Sequence, residues 1–583
     1  MASATTAGNQ PEKSWRAALR SRWTALLDER EEQIFLLLSL VIGALTGAAV
    51  VAFIVLTERL GMRLYPAGGA AWRRVLVPVA GSLAMGFLLY RYFPNARGSG
   101  VPQTKAALFA GDGFISLRTV LGKFFCTAAT LASGIPLGRE GPSVQVGAGI
   151  GSVLGRWLGL RPERVKALIP VGAAAAIAAA FNTPMAAVLF ALEEVMGDLN
   201  APILGAVVVA SATSWAVLRL LLGNNPLFQV PQYTLVHPLE LGIYALLGII
   251  GGFLSVAFTR LLLEMRKFFL RLPKKTRWVH PVAGGVLVGL MGWFVPQVLG
   301  VGYTYVGSAL NGSMALKLLL LLVVLKLFGV TVSYASGNAG GIFGPALFLG
   351  AMLGGAIGSV AHSLLPGYTA TPGAYALVGM GALFAGIVRA PMTSVLMIFE
   401  MTRDYTVIVP LMIANLTSFF ISSRFQKQPI YEALAHQDGI HLPTPTTLHQ
   451  ASRHTVAQIM QRAPQILSAR MSVRDALAET RSSQLHIWPV AEGDYFLGMV
   501  TREMLERAAA DGKNEQPLKA VVETLSFPHL HTDHALHLAL EQMSACHVDV
   551  LPVVHRAEIH KLLGVVTLRE VLNSYGVNST GQE

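Results

Sequence analysis

The stretch Ala132-Ser133-Gly134-Ile135-Pro136-Leu137-Gly138-Arg139-Glu140-Gly141-Pro142 breaks an apolar region with glycine and proline and sets an arginine and a glutamate inside it. One apolar run stops there and another begins at once. Proline fits the first turn of a helix, where its missing N–H is no loss, and glycine lets backbone approach a ligand closely. The stretch also has a second copy. Ala132-Ser133-Gly134 recurs as Ala335-Ser336-Gly337 and Gly141-Pro142 as Gly344-Pro345, all 203 residues later. At the same offset Lys123 meets Lys326, and Gly147, Gly151 and Gly155 meet Gly350, Gly354 and Gly358. Further on the offset becomes 207, pairing Val171-Gly172 with Val378-Gly379, Pro184-Met185 with Pro391-Met392, Val188-Leu189 with Val395-Leu396, and Glu193 with Glu400. The chain therefore contains two related halves, although offsets alone do not tell a parallel repeat from an inverted one.

The surroundings are those of a membrane protein. Of 583 residues 53% are hydrophobic and 13% charged, against roughly 25% charged in a soluble domain. Uncharged runs at 33–57, 75–90, 241–259, 342–360 and 405–421 are each near the length that crosses a bilayer. None follows residue 424. The stretches 124–137 and 167–192, the latter with Asn182 and Pro184 in its middle, predict broken helices. These survive at membrane depth only where freed backbone groups are buried in protein or line a cavity, which points to a transport site. The glycines spaced four apart put small residues on one helix face and predict close helix packing.

A formal net charge of +12 raises the question of nucleic acid, but its placement answers for the membrane. Lys13, Arg16, Arg20, Arg22 and Arg30 precede the first apolar run, and Arg424 and Lys427 follow the last. By the positive-inside rule both termini are cytoplasmic, in a multi-pass protein of the cell (inner) membrane. No secretory signal precedes the first run. A basic surface that draws anions to a pore mouth is a lesser reading. Cys126 and Cys546 predict no disulfide framework. The chain reads as a transporter rather than an enzyme, with no required cofactor.

Three segments combine glycine, proline and a following apolar run: Gly98-Ser99-Gly100-Val101-Pro102, Gly138 to Pro142, and Gly341-Ile342-Phe343-Gly344-Pro345. Each reads as a helix start. Helix N-termini present free N–H groups and roughly half a positive charge, so several aimed at one point bind an anion. A full cation there would hold the ion too tightly to release it.

These segments in this order, followed by Tyr431 in Lys427-Gln428-Pro429-Ile430-Tyr431, resemble the signature set of the CLC family of chloride channels and chloride/proton exchangers, over about residues 33–431. The resemblance implies a membrane all-α fold, an inverted repeat of broken helices, and a homodimer with one pathway per subunit. It makes Ser99 and Tyr431 the hydroxyl donors to a central chloride. The amides of Ile342 and Phe343 complete the site, within helix N-termini at Gly98, Gly100, Gly138, Arg139, Gly141, Gly341 and Gly344. Serine at 99 is the family's chloride-associated choice. By itself Ser99 also reads as a helix N-cap, and the two roles are compatible.

Glu140 resembles the external gating glutamate, whose carboxylate takes an anion position when ionised and leaves it when protonated. The plain alternative is an acid that stabilises a helix start. Arg139 reads as a structural partner or a solvent-facing cation. Glu194 resembles the internal proton-transfer site of exchangers. The plain reading places one or both of Glu193 and Glu194 at the interface, with Glu193 structural because its repeat mate is also acidic. The set favours chloride/proton exchange; a passive voltage- or proton-gated chloride channel is the alternative. Lys123 either raises the field along the pathway or is snorkelled or ion-paired. Val101, and Asn338-Ala339 before Gly340-Gly341, depart from the family pattern.

The expected organisation is a cytoplasmic segment 1–32, a transmembrane domain 33–435 with halves 33–235 and 236–435, and a linker 436–452. Two similar units follow at 453–512 and 513–577, then a tail 578–583. In each unit, short apolar runs alternate with amphipathic stretches, Trp488-Pro489-Val490 and Gly498-Met499-Val500-Thr501 being echoed by Leu551-Pro552-Val553 and Gly564-Val565-Val566-Thr567. They resemble a cytoplasmic α/β tandem pair of CBS domains. That likeness implies an adenine nucleotide (ATP, ADP or AMP) held through Thr567 and Glu570, since the first unit has Met504 where an acid is usual. A dimerising module that binds nothing small is the alternative, and a third reading makes the membrane part an anchor for a nucleotide sensor. His534 and His537 share a helix face near His529 and His531, but no cysteine or acid completes a metal site, so solvent-facing histidines are expected.

Overall fold

All five uncharged runs are helical, the last from Ile408 onward. The computed structural model describes residues 31–574 except 66–68, 200–202, 224–226, 229, 232, 234, 441, 443–454, 462–464, 482, 484–485, 494, 523–527, 547 and 557. The basic residues Lys13 to Arg30, most of the expected linker, Arg453 and the tail 578–583 lie outside the described residues. Two units separate, Met1–Leu442 and Pro443–Glu583.

In the first half of the membrane unit the helices are α1 (Glu31–Leu64), α2 (Ala71–Arg91), α3 (Val101–Ala110), α4 (Leu117–Ala132), α5 (Glu140–Trp157), α6 (Pro162–Phe181), α7 (Pro184–Phe190) and α8 (Leu204–Leu222). The second half has α9 (Glu240–Arg271), α10 (Pro281–Phe294), α11 (Tyr303–Leu310), α12 (Leu316–Ser336), α13 (Phe343–Leu364), α14 (Pro372–Val388), α15 (Pro391–Thr402), α16 (Ile408–Phe425) and α17 (Ile430–Gln437). The repeat reappears in the breaks. Helices α5 and α13 start at matched residues, as do α7 and α15. Gly134 (φ 93°) and Gly337 (φ 100°) turn left-handed at matched points, and so do Asn182 (φ 60°) and Arg389 (φ 68°). Asparagine tolerates that conformation. Arg389 is held in it by guanidinium bonds to the carbonyls of Ser422, Lys427 and Gln426.

Contacts between the halves are reciprocal. Gly138 and Gly341 are repeat mates, and each amide donates to the other's carbonyl at 2.7 Å in an antiparallel bridge. The Glu193 carboxylate accepts from the amides of Met392 (3.3 Å) and Thr393 (2.8 Å), while Glu400 accepts from those of Met185 (3.1 Å) and Ala186 (2.7 Å). When residue i meets j′ and i′ meets j, the relation is two-fold rather than translational. The halves are thus related by a two-fold axis, in agreement with the inverted repeat of a CLC-type fold, and both acids cap the exposed amides of a helix start in the opposite half.

Glycine lets paired helices touch backbone to backbone. A Cβ on Gly147 would lie 2.2 Å from the Gly172 carbonyl oxygen, and one on Gly350 would lie 2.3 Å from that of Gly379. So α5 crosses α6 as α13 crosses α14, at matched positions. The membrane unit also continues past residue 435: Arg266 binds Asp438 at 2.5 Å and Gln437 at 2.9 Å.

In the second unit β1 (Leu467–Ser468) pairs parallel with β2 (Ile487–Glu492), which pairs antiparallel with β3 (Tyr495–Thr501); β4 (Val550–His555) and β5 (Glu558–Thr567) form an antiparallel pair. Helices α18 (Val456–Ile459), α19 (Val473–Thr480), α20 (Arg502–Ala510), α21 (Leu536–Cys546) and α22 (Leu568–Ser574) cover them. One core gathers Leu467, Trp488, Val500, Leu505 and Leu518. The other gathers Leu530, Leu551, Val566 and Val571 together with Val456. A single cut at 512/513 therefore does not separate the cores. The amides of Val456 and Gln461 bind the carbonyls of His534 (2.8 Å) and Val565 (3.0 Å), so the start of the first segment completes the second core.

Gly172→Ala forces a Cβ to within about 2 Å of the Gly147 carbonyl and is expected to cost roughly 1–3 kcal/mol or more by overpacking. Gly205→Ala, whose Cβ meets nothing within 4 Å, is the control. Thermal unfolding in detergent should show a lower midpoint for the first and no loss for the second.

Candidate functional site

The loop before α3 turns at Gly98 (φ 83°) and Gly100 (φ 104°), which side chains disfavour. Gln103 Oε1 accepts from the Gly100 amide at 2.8 Å, a capping contact of the first turn. A Cβ on Gly100 would strike the Gly141 carbonyl oxygen at 2.2 Å, and one on Gly141 would meet Ser99 Oγ at 2.8 Å. Ser99 is thereby pressed against the first turn of α5. Its N-cap alternative is not realised, because Gly100 holds that position. Ser99 and Tyr431 are fully buried, their hydroxyls lie beside one another, and neither forms a regular hydrogen bond with the protein. Buried hydroxyls are nearly always paired. Two enclosed donors side by side are arranged to be satisfied by one acceptor.

Lys123 builds this loop. Its ammonium donates to the carbonyls of Ala96 (3.0 Å), Arg97 (3.3 Å) and Gly98 (2.7 Å). It neither snorkels nor forms an ion pair, since three backbone acceptors engage it within the protein. Its mate Lys326 binds the carbonyls of Val298 (3.2 Å) and Gly300 (2.7 Å) and lies 4.3 Å from the Phe348 ring centre.

Glu140 is fully buried at the first residue of α5. Its Oε2 accepts from the Gly344 amide at 3.1 Å, and Tyr303 Oη donates to its Oε1. A Cβ on Gly138 or Gly344 would lie 2.3 or 2.9 Å from Oε2, so glycine makes room for the carboxylate. The plain reading, an acid serving its own helix start, is not what the geometry shows: this carboxylate sits on the first turn of α13. The amides of Ile342 and Phe343 belong to the same turn, where helix N–H groups lack ladder partners. The Phe343 ring instead packs among Phe181, Phe190 and Phe384, with centroids 4.4–5.7 Å away. Arg139 is buried, bonds Glu58 at 3.1 Å and stands 5.4 Å from the Tyr303 ring centre, a structural partner.

Glu194 lies in a π-helical turn, Ala191–Met196, that continues α7. It is buried and pairs with Lys105 of α3 at 2.9 Å. Sequence reasoning missed Lys105, Tyr303 and Glu58. Tyr303 had a signal: at the offset of 203 it is the mate of Gly100, and α11 the mate of α3.

The chain as a whole is similar to proteins already described. A family model described as voltage gated chloride channel matches residues 80–423. The chain belongs to that family. A CBS domain is matched at 456–511. The H(+)/Cl(-) exchange transporter ClcA of Vibrio campbellii is 35% identical over 370 residues, 62% of this chain and 78% of the relative. Among solved structures, a slow cyanobacterial Cl-/H+ antiporter aligns with TM-score 0.64 and 28% identity, over 69% of this chain and 97% of that one. A eukaryotic CLC transporter aligns with TM-score 0.60 over 91% and 97% of the two chains; at 20% identity it bears on the fold alone. Membership in the voltage gated chloride channel family agrees with the inverted repeat and with the eight helices that, among the described residues, are long and apolar enough to span a membrane.

In the second unit a cavity of about 760 Å³ opens between the two halves, lined among others by His486, Thr501, Arg502, Asp549, Thr567 and Arg569. Both threonines act as helix caps, accepting from the amides of Met504 (3.2 Å) and Glu570 (3.3 Å). Glu570 is not part of the lining. Its carboxylate accepts from the Thr567 amide at 3.0 Å, closing a capping box, so it is not turned to a ligand in the cavity. Among the described residues no group of three His, Cys, Asp or Glu is arranged to hold a metal ion. His531 Nδ1 contacts the Val554 carbonyl at 3.0 Å, and partial burial with neighbouring His531 holds His534 below the usual histidine range.

Tyr303→Phe removes a hydrogen bond to a carboxylate, worth about 1.5–3 kcal/mol. With Glu140 as the gating acid that the family resemblance implies, anion flux near neutral pH is expected to rise by roughly tenfold in a liposome efflux assay, because the carboxylate would leave the α13 turn more readily. Lys123→Met, which unties three carbonyls below Ser99, should lower flux in the same assay.

Proposed function

We propose that the chain exchanges chloride for protons across a membrane. The observation that carries this reading is the Glu140 carboxylate on the Gly344 amide, in the same helix start as the amides of Ile342 and Phe343. An anion attracted to that helix start must displace it. Ionised, the carboxylate competes for the same N–H groups; protonated, it loses its charge and its hold. One proton bound thus frees one anion position. Ser99 and Tyr431 supply the hydroxyl donors of the central site, and Glu194 is the internal residue that receives protons. The exchange activity in the names of the Vibrio relative and the cyanobacterial structure supports the same assignment.

The location follows the same reasoning: a cell inner membrane, both termini cytoplasmic, and a homodimer with a pathway in each subunit. The cavity of the second unit takes an adenine nucleotide, with Thr501, Thr567 and Arg569 among its lining residues and the Arg569 guanidinium as the candidate for phosphate.

Purified protein in liposomes tests the transport reading. An imposed chloride gradient is expected to drive protons uphill, recorded with a pH electrode, and chloride flux with no proton movement would support a passive channel instead. Glu140→Ala should abolish coupling, and Glu194→Ala should slow proton movement while sparing chloride. For the tail, ATP, ADP or AMP at a hundred times its Kd should raise the unfolding midpoint, by about 2.7 kcal/mol of stabilisation; an unmoved midpoint with all three rejects the nucleotide.

A further inference from the structure

Glu194 does not stand alone. Its partner Lys105 is 7% exposed and Glu194 6%, so the 2.9 Å ion pair is sealed within the protein. A third group joins them: Glu432, next to Tyr431 in α17 and 9% exposed, interacts electrostatically with Glu194 and Lys105, and on its far side with Arg389. Two buried carboxylates therefore act on one ammonium, Glu194 in direct contact with it and Glu432 electrostatically from beyond bonding distance. Other neighbours of Glu194 are accounted for. Helix α7 carries no charge, α6 carries its charges only in its first five residues, Glu193 is committed to the amides of Met392 and Thr393, and Tyr431 is the remaining titratable neighbour.

A buried ammonium stripped of its partner is costly, as is a buried carboxylate. When a proton arrives at Glu194, the carboxylate becomes neutral and Lys105 must find a second anion or pay the full desolvation. Glu432 is a second buried acid whose charge acts on it. The helix carrying Lys105 is short and begins at the Ser99 loop, so the same ten residues join the anion donor to this cation.

We propose that Lys105 is the positioning residue for proton uptake at Glu194, holding that carboxylate ionised and aimed between transfers and passing to Glu432 when Glu194 is protonated. The proposal rests on Glu194 as the internal proton acceptor. The proton comes from internal water and ends on a Glu194 carboxyl oxygen; Lys105 keeps all of its own protons throughout. Chloride release past Ser99 and proton loading at Glu194 are then linked through one rigid element, α3.

The test measures proton transport and chloride flux in liposomes as internal pH is varied, for the full chain and for Lys105→Gln, Lys105→Arg and Glu432→Gln. Lys105→Gln removes the charge that favours ionised Glu194. The midpoint of proton transport is expected to move to higher pH by about one unit or more, and the proton-to-chloride ratio to fall several-fold. Lys105→Arg, which keeps the charge, should restore both. Glu432→Gln leaves Lys105 wholly to Glu194 and should move the midpoint the other way. A Lys105→Gln protein with the unaltered midpoint and ratio overturns the proposal. If that variant carries no chloride and so is misfolded, Glu432→Gln decides: a fixed or upward-moving midpoint overturns it. An unmodified chain that conducts chloride yet moves no protons rejects the exchange reading itself, and with it this one; coupled transport with an unresponsive Lys105 rejects only this one.

Discussion

Two hydrogen bonds of 2.7 Å between Gly138 and Gly341 hold the membrane unit at its centre. Irregular backbone in an apolar environment must have its polar groups satisfied by protein, and here each half satisfies the other. The bridge lies immediately before the starts of α5 and α13, so the two first turns are brought together. Neither residue tolerates a larger neighbour easily. A Cβ on Gly341 would crowd the Pro142 ring at 3.1 Å, and one on Gly138 would meet the Glu140 carboxylate. From this contact follows the reach of Glu140 across the axis to the Gly344 amide.

The two-fold is exact in scaffold and broken in chemistry. At matched positions Glu140 projects a carboxylate into the junction, whereas Phe343 turns its ring into an aromatic cluster and offers only its amide. The break runs the other way at the mates Gly100 and Tyr303. There the first half contributes bare backbone, and the second a hydroxyl that holds the carboxylate. One half thus supplies the carboxylate and the other the amide and hydroxyl that hold it. A symmetric scaffold gives two matched helix starts, and two differences between mates make one the donor and the other the bearer of the acceptor.

Most of the scaffold was legible in the sequence because glycine, proline and left-handed positions punctuate it locally. The offsets of 203 and 207 foretold matched helix starts, and the acid at Glu400 foretold a structural task for Glu193. The motifs singled out Ser99, Glu140 and Tyr431, and the structure sets Ser99 beside Tyr431 and Glu140 on the α13 turn. What escaped depends on packing between distant segments. Lys105 looks like any polar residue on a short helix until α3 meets the turn bearing Glu194, 89 residues away. Lys123 had three open readings because its acceptors are carbonyls, which no residue type announces. Glu570 was chosen by its spacing from Thr567, and that spacing is equally the signature of a capping box. The interleaving of the two tail cores escaped for a related reason: Val456 joins a core whose other members begin some 70 residues later, and composition does not report such a crossing.

The crossed capping by Glu193 and Glu400 has a consequence for how the chain is made. The amides of Ala186 at the start of α7 find their acceptor in Glu400, 214 residues further along. At about 5–20 residues per second a ribosome needs roughly 10–40 s to supply it. Throughout that interval the first half sits in the bilayer with an uncapped helix start and half of a two-residue bridge. It must be sheltered by water at the membrane surface, by the insertion machinery or by a temporary fold. The inverted repeat therefore makes membrane insertion of this chain a two-act process, in which the first half is finished only by the arrival of the second.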